Sequence, residues 1–90
     1  MTERQLTIER DRQGAPLVAY LYLPAPNGRK SAQCHEVEPG YVVDIDSAGV
    51  LIGVEFFYPD EVQLAILDRI LEEHHAPPVT PADLAPLKVA

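Results

Sequence analysis

The sequence predicts an α+β domain: an antiparallel sheet of four to five strands in meander order, with one C-terminal amphipathic helix packed on a face. Three observations point there. Residues 41–58, YVVDIDSAGVLIGVEFFY, alternate in apolar character, break at a turn and resume the alternation. Residues 62–73 change period, with Val62, Ile66 and Ile70 recurring at i, i+4 and i+8. Clusters of Gly, Pro, Asn and Asp separate the apolar runs and supply turn chemistry.

Ninety residues suit one domain, with a core small enough to be marginal. Hydrophobic residues make up 47% and charged residues 23%, the composition of a folded chain. The formal charge of −7 disfavours nucleic acid and anionic lipid as partners, and suits a basic protein partner or simple solubility. Arg29 and Lys30 are the one adjacent basic pair. The single cysteine, Cys34, excludes an intramolecular disulfide and a cysteine-based zinc finger. The charged N-terminus has no signal-peptide core, and no apolar run reaches the roughly 18–20 residues of a membrane span. A soluble cytoplasmic protein is the expectation.

Residues 1–3 read as a frayed end. Residues 5–11 alternate, with Leu6 and Ile8 opposite Thr7 and Glu9, and read as a half-buried strand. Gly14 and Pro16 mark a turn. Residues 17–23, LVAYLYL, form a strand either covered on both faces or covered on one and engaged by a partner on the other. Residues 24–28 are a loop, since two prolines and an Asn-Gly pair exclude a regular element. Residues 30–38 read as an edge strand or an irregular segment, with Cys34 and Glu36 on one face and His35 and Val37 on the other.

In the hairpin, a four-residue connection, Asp46-Ser47-Ala48-Gly49, sets Tyr41, Val43 and Ile45 on the same side as Val50, Ile52, Val54, Phe56 and Tyr58. Pairing Ile45 with Leu51 instead would split the apolar rows, so burial is expected to fix the register. The other face carries Val42, Asp44, Leu51, Gly53, Glu55 and Phe57. Gly53 has no role in this pattern, and any binding surface is expected on its side. A helix then opens at Pro59, capped by Asp60 with Gln63 at the capping-box position. It runs three to four turns to His74 and His75, and Pro77-Pro78 stops it. Residues 1–76 form the domain. Residues 77–90 form a proline-rich tail: either a disordered segment, or an arm with one turn at 81–84 under a Thr80 cap that docks on its own chain or on a neighbouring subunit.

The residues Val43-Asp44-Ile45-Asp46, Gly49 and Ile52-Gly53-Val54-Glu55 resemble the signature of a family of short bacterial proteins of unknown function (domain of unknown function 2283). Leu21-Tyr22-Leu23 stands where that family has a Leu-Tyr-Ile-like core, and the likeness covers roughly residues 5–58. The chain departs from the pattern in having Val18, Ala19 and Tyr20 where an acidic residue precedes that core, and in its helix and tail. The resemblance implies a small β-sheet domain. Because some members lie beside small toxin genes, it also implies an antitoxin-like, protein-binding role.

Four sets of residues invite chemistry. Asp44, Asp46 and Glu55 suggest a metal, but in the expected register Glu55 lies roughly 13 Å along the sheet from the neighbour of Asp44. Calcium ligands must lie within about 2.6 Å of one ion. Cys34 and His35 suggest a nucleophile and base, yet adjacent strand residues face opposite ways. His74 and His75 diverge by about 100° on a helix and suit its carboxyl end better than a metal. Tyr20, Tyr22, Tyr41, Phe56, Phe57 and Tyr58 are core or interface aromatics. No catalytic, cofactor or metal residues are therefore assigned. The expected function is a non-enzymatic interaction module, a homo-oligomer (dimer) that binds another protein. Tyr20, Tyr22, Asp44, Glu55 and Phe57 are its candidate surface. The alternative is a small-molecule-binding protein or small enzyme with a pocket between sheet and helix.

Overall fold

The computed structural model describes residues 5–23 and 31–80 and positions 82, 84 and 87. The frayed end at 1–3, the loop at 24–28, the basic pair Arg29-Lys30 and positions 81 and 83 of the expected turn lie outside the described residues. Five strands form one antiparallel sheet: β1 (Gln5–Arg10), β2 (Pro16–Tyr22), β3 (Gln33–Glu38), β4 (Tyr41–Ile45) and β5 (Leu51–Phe56). A 3-10 turn (Pro59–Glu61) and one helix, α1 (Leu64–Glu73), follow. The strands lie in the order β1-β2-β5-β4-β3. The sheet is meander-like within each hairpin, and the connection from β2 to β3 carries the chain to the far edge.

Two turns share one design. In the first, Asp11 accepts hydrogen bonds on Oδ1 from the amides of Gln13 and Ala15, both at 2.9 Å, and Gly14 takes φ +85°. In the second, Asp46 accepts from Ala48 at 2.8 Å and Val50 at 2.9 Å, and Gly49 takes φ +81°. Each is an Asp-x-x-Gly loop with the glycine left-handed, the geometry of a three-residue hairpin connection with a bulge.

That turn corrects the expected register. The amide of Asp46 bonds the carbonyl of Val50 at 2.9 Å, so Ile45 pairs with Leu51, not Val50. The apolar rows are not split, because the register shifts again between Asp44 and Ile45 and Asp44 comes to face Gly53. Ile52 is the extra residue of a bulge. It turns Leu51 into the core beside Val54 and Phe56 and leaves Val50 46% exposed. Tyr58, expected on the buried row, is 58% exposed.

One face of the sheet builds the core, from Ala19, Leu21, Leu23, Tyr41, Val43, Leu51, Val54 and Phe56. Among the described residues, strand β2 is thus covered on one side only. From α1, Leu67, Ile70 and Leu71 fill the other half of the core. Tyr41 and Phe56 meet edge to face, ring centroids 5.9 Å apart. Val79, Leu84 and Leu87, from the segment set apart as a tail, are buried in the same core. The amide of Val79 donates to Asp68 of the helix at 3.1 Å.

The helix start also differs from expectation. Asp60 caps nothing in α1. It belongs to the 3-10 turn, after which Val62 and Gln63 are extended (ψ 128° and 130°). Val62 is drawn into the core, and the amide of Gln63 donates to the Tyr41 hydroxyl at 2.9 Å. Burying Val62 outweighs continuing the helix through it, since a buried valine is worth about 1.5–3 kcal/mol and an N-cap about 1 kcal/mol. At the other end, the amide of Ala76 bonds the carbonyl of Leu71 and that of His75 bonds Glu72. This is a Schellman closure with His75 at the left-handed position, φ 59°. Glycine is the residue without penalty there. His75→Gly is therefore expected to raise stability by about 0.5–1 kcal/mol in urea denaturation. A lower midpoint would mean that the imidazole contributes more than its backbone strain costs.

Candidate functional site

Among the described residues, no helix lies over the second face of the sheet. Strand alternation puts Thr7, Glu9, Val18, Tyr20, Tyr22, Val42, Asp44, Glu55, Cys34 and Glu36 there. Two rows cross the sheet. Tyr20 pairs with Glu55, Glu55 with Val42 and Val42 with Glu36. Tyr22 pairs with Gly53, Gly53 with Asp44 and Asp44 with Cys34.

Gly53 is the gap that organises this face. A Cβ there would sit 2.2 Å from the Tyr20 hydroxyl. Tyr20 leans across the bare backbone and donates to Asp44 Oδ2 at 2.5 Å, while its ring lies 4.4 Å from that of Tyr22. Ser31 donates to Asp44 Oδ1 at 3.0 Å, and the Cys34 thiol donates to the same oxygen at 2.5 Å. One carboxylate thus holds β2, the start of β3 and β4 together.

The electrostatics follow from this sharing. Partial burial pushes the Asp44 carboxyl up, but the donors Cys34, Tyr20 and Ser31 outweigh it and hold Asp44 below the ordinary carboxylate value. The hydrogen bond to Asp44 pushes the Cys34 thiol above its ordinary value. Burial first, then the bond to Asp44, push the Tyr20 phenol far up. A thiol raised by a carboxylate is a poor nucleophile, because the thiolate is the reactive form. A carboxylate with three donors and a lowered pKa is a poor general base. The arrangement fixes a surface; it does not prepare a reaction.

Linkage gives the pH dependence its sign. The lowered pKa of Asp44 contributes stability that is present above about pH 4 and is lost as pH falls through its depressed value. The raised pKa of Cys34 contributes stability that is present below about pH 8.5 and is lost as pH rises, because the native thiol keeps a proton that the unfolded one gives up. Wild type is expected to lose stability as pH rises above about 8.5 more steeply than Cys34→Ser in urea titrations. Equal slopes would rule out the thiol's part.

Tyr20, Tyr22, Asp44 and Glu55 of the candidate surface lie together on this face. Phe57 lies apart, beyond the end of β5, in a hollow with Leu17 and Tyr58. His35 turns away from Cys34 and lies 2.8 Å from Gln33 Oε1. Because Asp44 faces Gly53, Glu55 is a diagonal neighbour with its Cα about 7–8 Å away, closer than the expected register placed it. Among the described residues, no group of three or more His, Cys, Asp or Glu side chains is placed to hold a metal ion. Nδ1 of His74 lies 2.9 Å from the carbonyl of Ile70, at the carboxyl end of the helix. The sequence pattern missed Ser31 and Cys34 as partners of Asp44. The signal was Gly53, since a glycine inside a strand marks a close approach. The chain matches no family model, no curated protein and no solved structure.

Proposed function

We propose that this protein is a non-enzymatic interaction module that binds a basic protein partner through the open face of its sheet. One observation carries the reading. That face bears Glu9, Glu36, Asp44 and Glu55, with Tyr22 48% exposed. Acidic charge interleaved with tyrosine favours a partner of opposite charge and speeds its approach. The resemblance to the bacterial family favours an antitoxin-like role for this chain, with a small basic toxin as its partner. The compartment proposed is the cytoplasm, in keeping with the lone cysteine. Among the described residues no helix is long and apolar enough to cross a membrane.

Self-association belongs to the same proposal. The dimer is assigned to the exposed Leu17, Phe57 and Tyr58, which line one hollow with Asp60 and Glu61. The test has two arms. Immobilised wild type should retain basic proteins from its own cell extract that a Tyr22→Ser/Glu55→Lys variant does not. Sedimentation should show a dimer that Phe57→Ser dissociates. Retention of the same proteins by both baits would remove the open face from the account, and a strict monomer would remove the dimer.

A small-molecule binder or small enzyme is the second reading. It is favoured by a hollow of about 330 Å³ between the sheet and the helix region, lined by Glu38, Tyr41, Tyr58, Glu61, Val62 and Ile66. Neither Asp44 nor His35 faces it, which weighs for the interaction reading.

A further inference from the structure

The four carboxylates of the open face are not equivalent. Asp44 is occupied by Tyr20, Ser31 and Cys34. Glu36 accepts the amide of Gly40 on Oε2 at 3.1 Å. Glu9 and Glu55 have no hydrogen-bond or ion-pair partner among the described residues. Both line one depression of about 430 Å³, together with Thr7, Val18, Tyr20 and Tyr22. We infer that this depression is an arginine-binding cradle, into which the partner inserts one guanidinium group between Glu9 and Glu55. The inference rests on the interaction reading above and names the chemistry that the partner must present.

The geometry favours a guanidinium for three reasons. Strand β2 separates β1 from β5, so Glu9 and Glu55 stand on opposite banks, two strand spacings across and two residues along, roughly 12 Å apart. A planar fork with donors on both sides can meet both carboxylates when they lean inward over Val18, which a compact ammonium cannot do as well. Tyr20 is drawn over Gly53 toward Asp44, which leaves the space above the small Val18 side chain open. The paired rings of Tyr20 and Tyr22 then form one wall, and a guanidinium stacks on such a wall. The Asp44 cluster supports the cradle by fixing Tyr20 and adds no contact of its own.

The experiment titrates a hexa-arginine peptide into the full-length, isotope-labelled chain at low salt, followed by amide chemical shifts. The largest shifts are expected at Val18, Tyr20, Tyr22 and Glu55. Glu9→Gln/Glu55→Gln should weaken binding about tenfold or more, and Asp60→Asn/Glu72→Gln, with the same loss of charge elsewhere, by less than about twofold. A hexa-lysine peptide should bind more weakly than hexa-arginine. Equal weakening in the two double variants, or shifts scattered over the surface, would overturn the cradle and reduce the effect to bulk charge. Lysine binding as tightly as arginine would overturn the guanidinium assignment. Either result would leave the interaction reading standing, since capture from extract tests that separately. Both variants replace exposed or half-exposed groups by isosteres, and their spectra report directly whether they fold.

Discussion

A chain ending at residue 78 is expected to be largely unfolded. The deletion removes Val79, Leu84 and Leu87, all buried in the core that also holds Leu67 and Leu71 of the helix. At roughly 1.5–3 kcal/mol for each side chain, the loss reaches on the order of 5–9 kcal/mol as an upper bound. Total stability at this chain length is itself only about 5–13 kcal/mol. The deletion also leaves Asp68 without the amide of Val79. Circular dichroism and urea unfolding of the 1–78 chain against the full chain test this. An unchanged midpoint would mean that the last segment is dispensable. Leu84→Ala, which leaves the chain length intact, should by itself cost about 2–5 kcal/mol.

The second large effect concerns Gly53 and changes sign with its neighbour. In the wild-type background, Gly53→Ala puts a methyl group where the Tyr20 ring lies, so the ring must swing away. Asp44 then loses one of its three donors, and the ring contact with Tyr22 is broken. A hydrogen bond to a charged group is worth about 1.5–3 kcal/mol, less where water can replace it, so a loss of about 1–2 kcal/mol is expected. In a Tyr20→Ala background the obstacle is gone. There, Gly53→Ala is expected to be neutral or to stabilise by up to about 1 kcal/mol, because alanine orders a strand at lower entropic cost than glycine. Urea midpoints of the four proteins give the coupling directly. Additive effects would mean that Gly53 is not there for Tyr20.

Local pattern made the elements legible, and tertiary competition hid the details. The alternation of Leu6 and Ile8, and of Tyr41 and Val43, marks strands because one face of each is buried. The Asp-x-x-Gly turns were visible as turns. The register they impose was not, because the pattern of Val50, Ile52 and Val54 fits a flush pairing as well as a bulged one. Only the bond from Asp46 to Val50 decides between them. The helix start was misread because a capping residue at Asp60 is a local signal, whereas the burial of Val62 against Tyr41 is not. Tyr20 and Asp44 could be singled out as surface residues. The union of Tyr20 with Asp44, Ser31 and Cys34 depends on β5 lying beside β2, and no spacing in the sequence encodes that adjacency.

The repeated turn has a consequence for the order of assembly. Each hairpin closes over a short loop that Asp11 or Asp46 ties from within, so both can form in microseconds without the rest of the chain. The seam between them, where Tyr22 meets Gly53 and Ala19 meets Phe56, joins residues roughly thirty or more positions apart and needs the whole intervening loop closed. The seam is therefore expected to set the folding rate. Leu21→Ala and Val54→Ala, which face each other across it, should slow folding as well as speed unfolding, whereas substitutions within α1 should act mainly on unfolding. Equal partition of both sets between the two rates in stopped-flow chevrons would contradict this. The open face, with its tyrosines and Asp44, straddles that seam, so it is expected to come into existence only as that rate-setting step is passed.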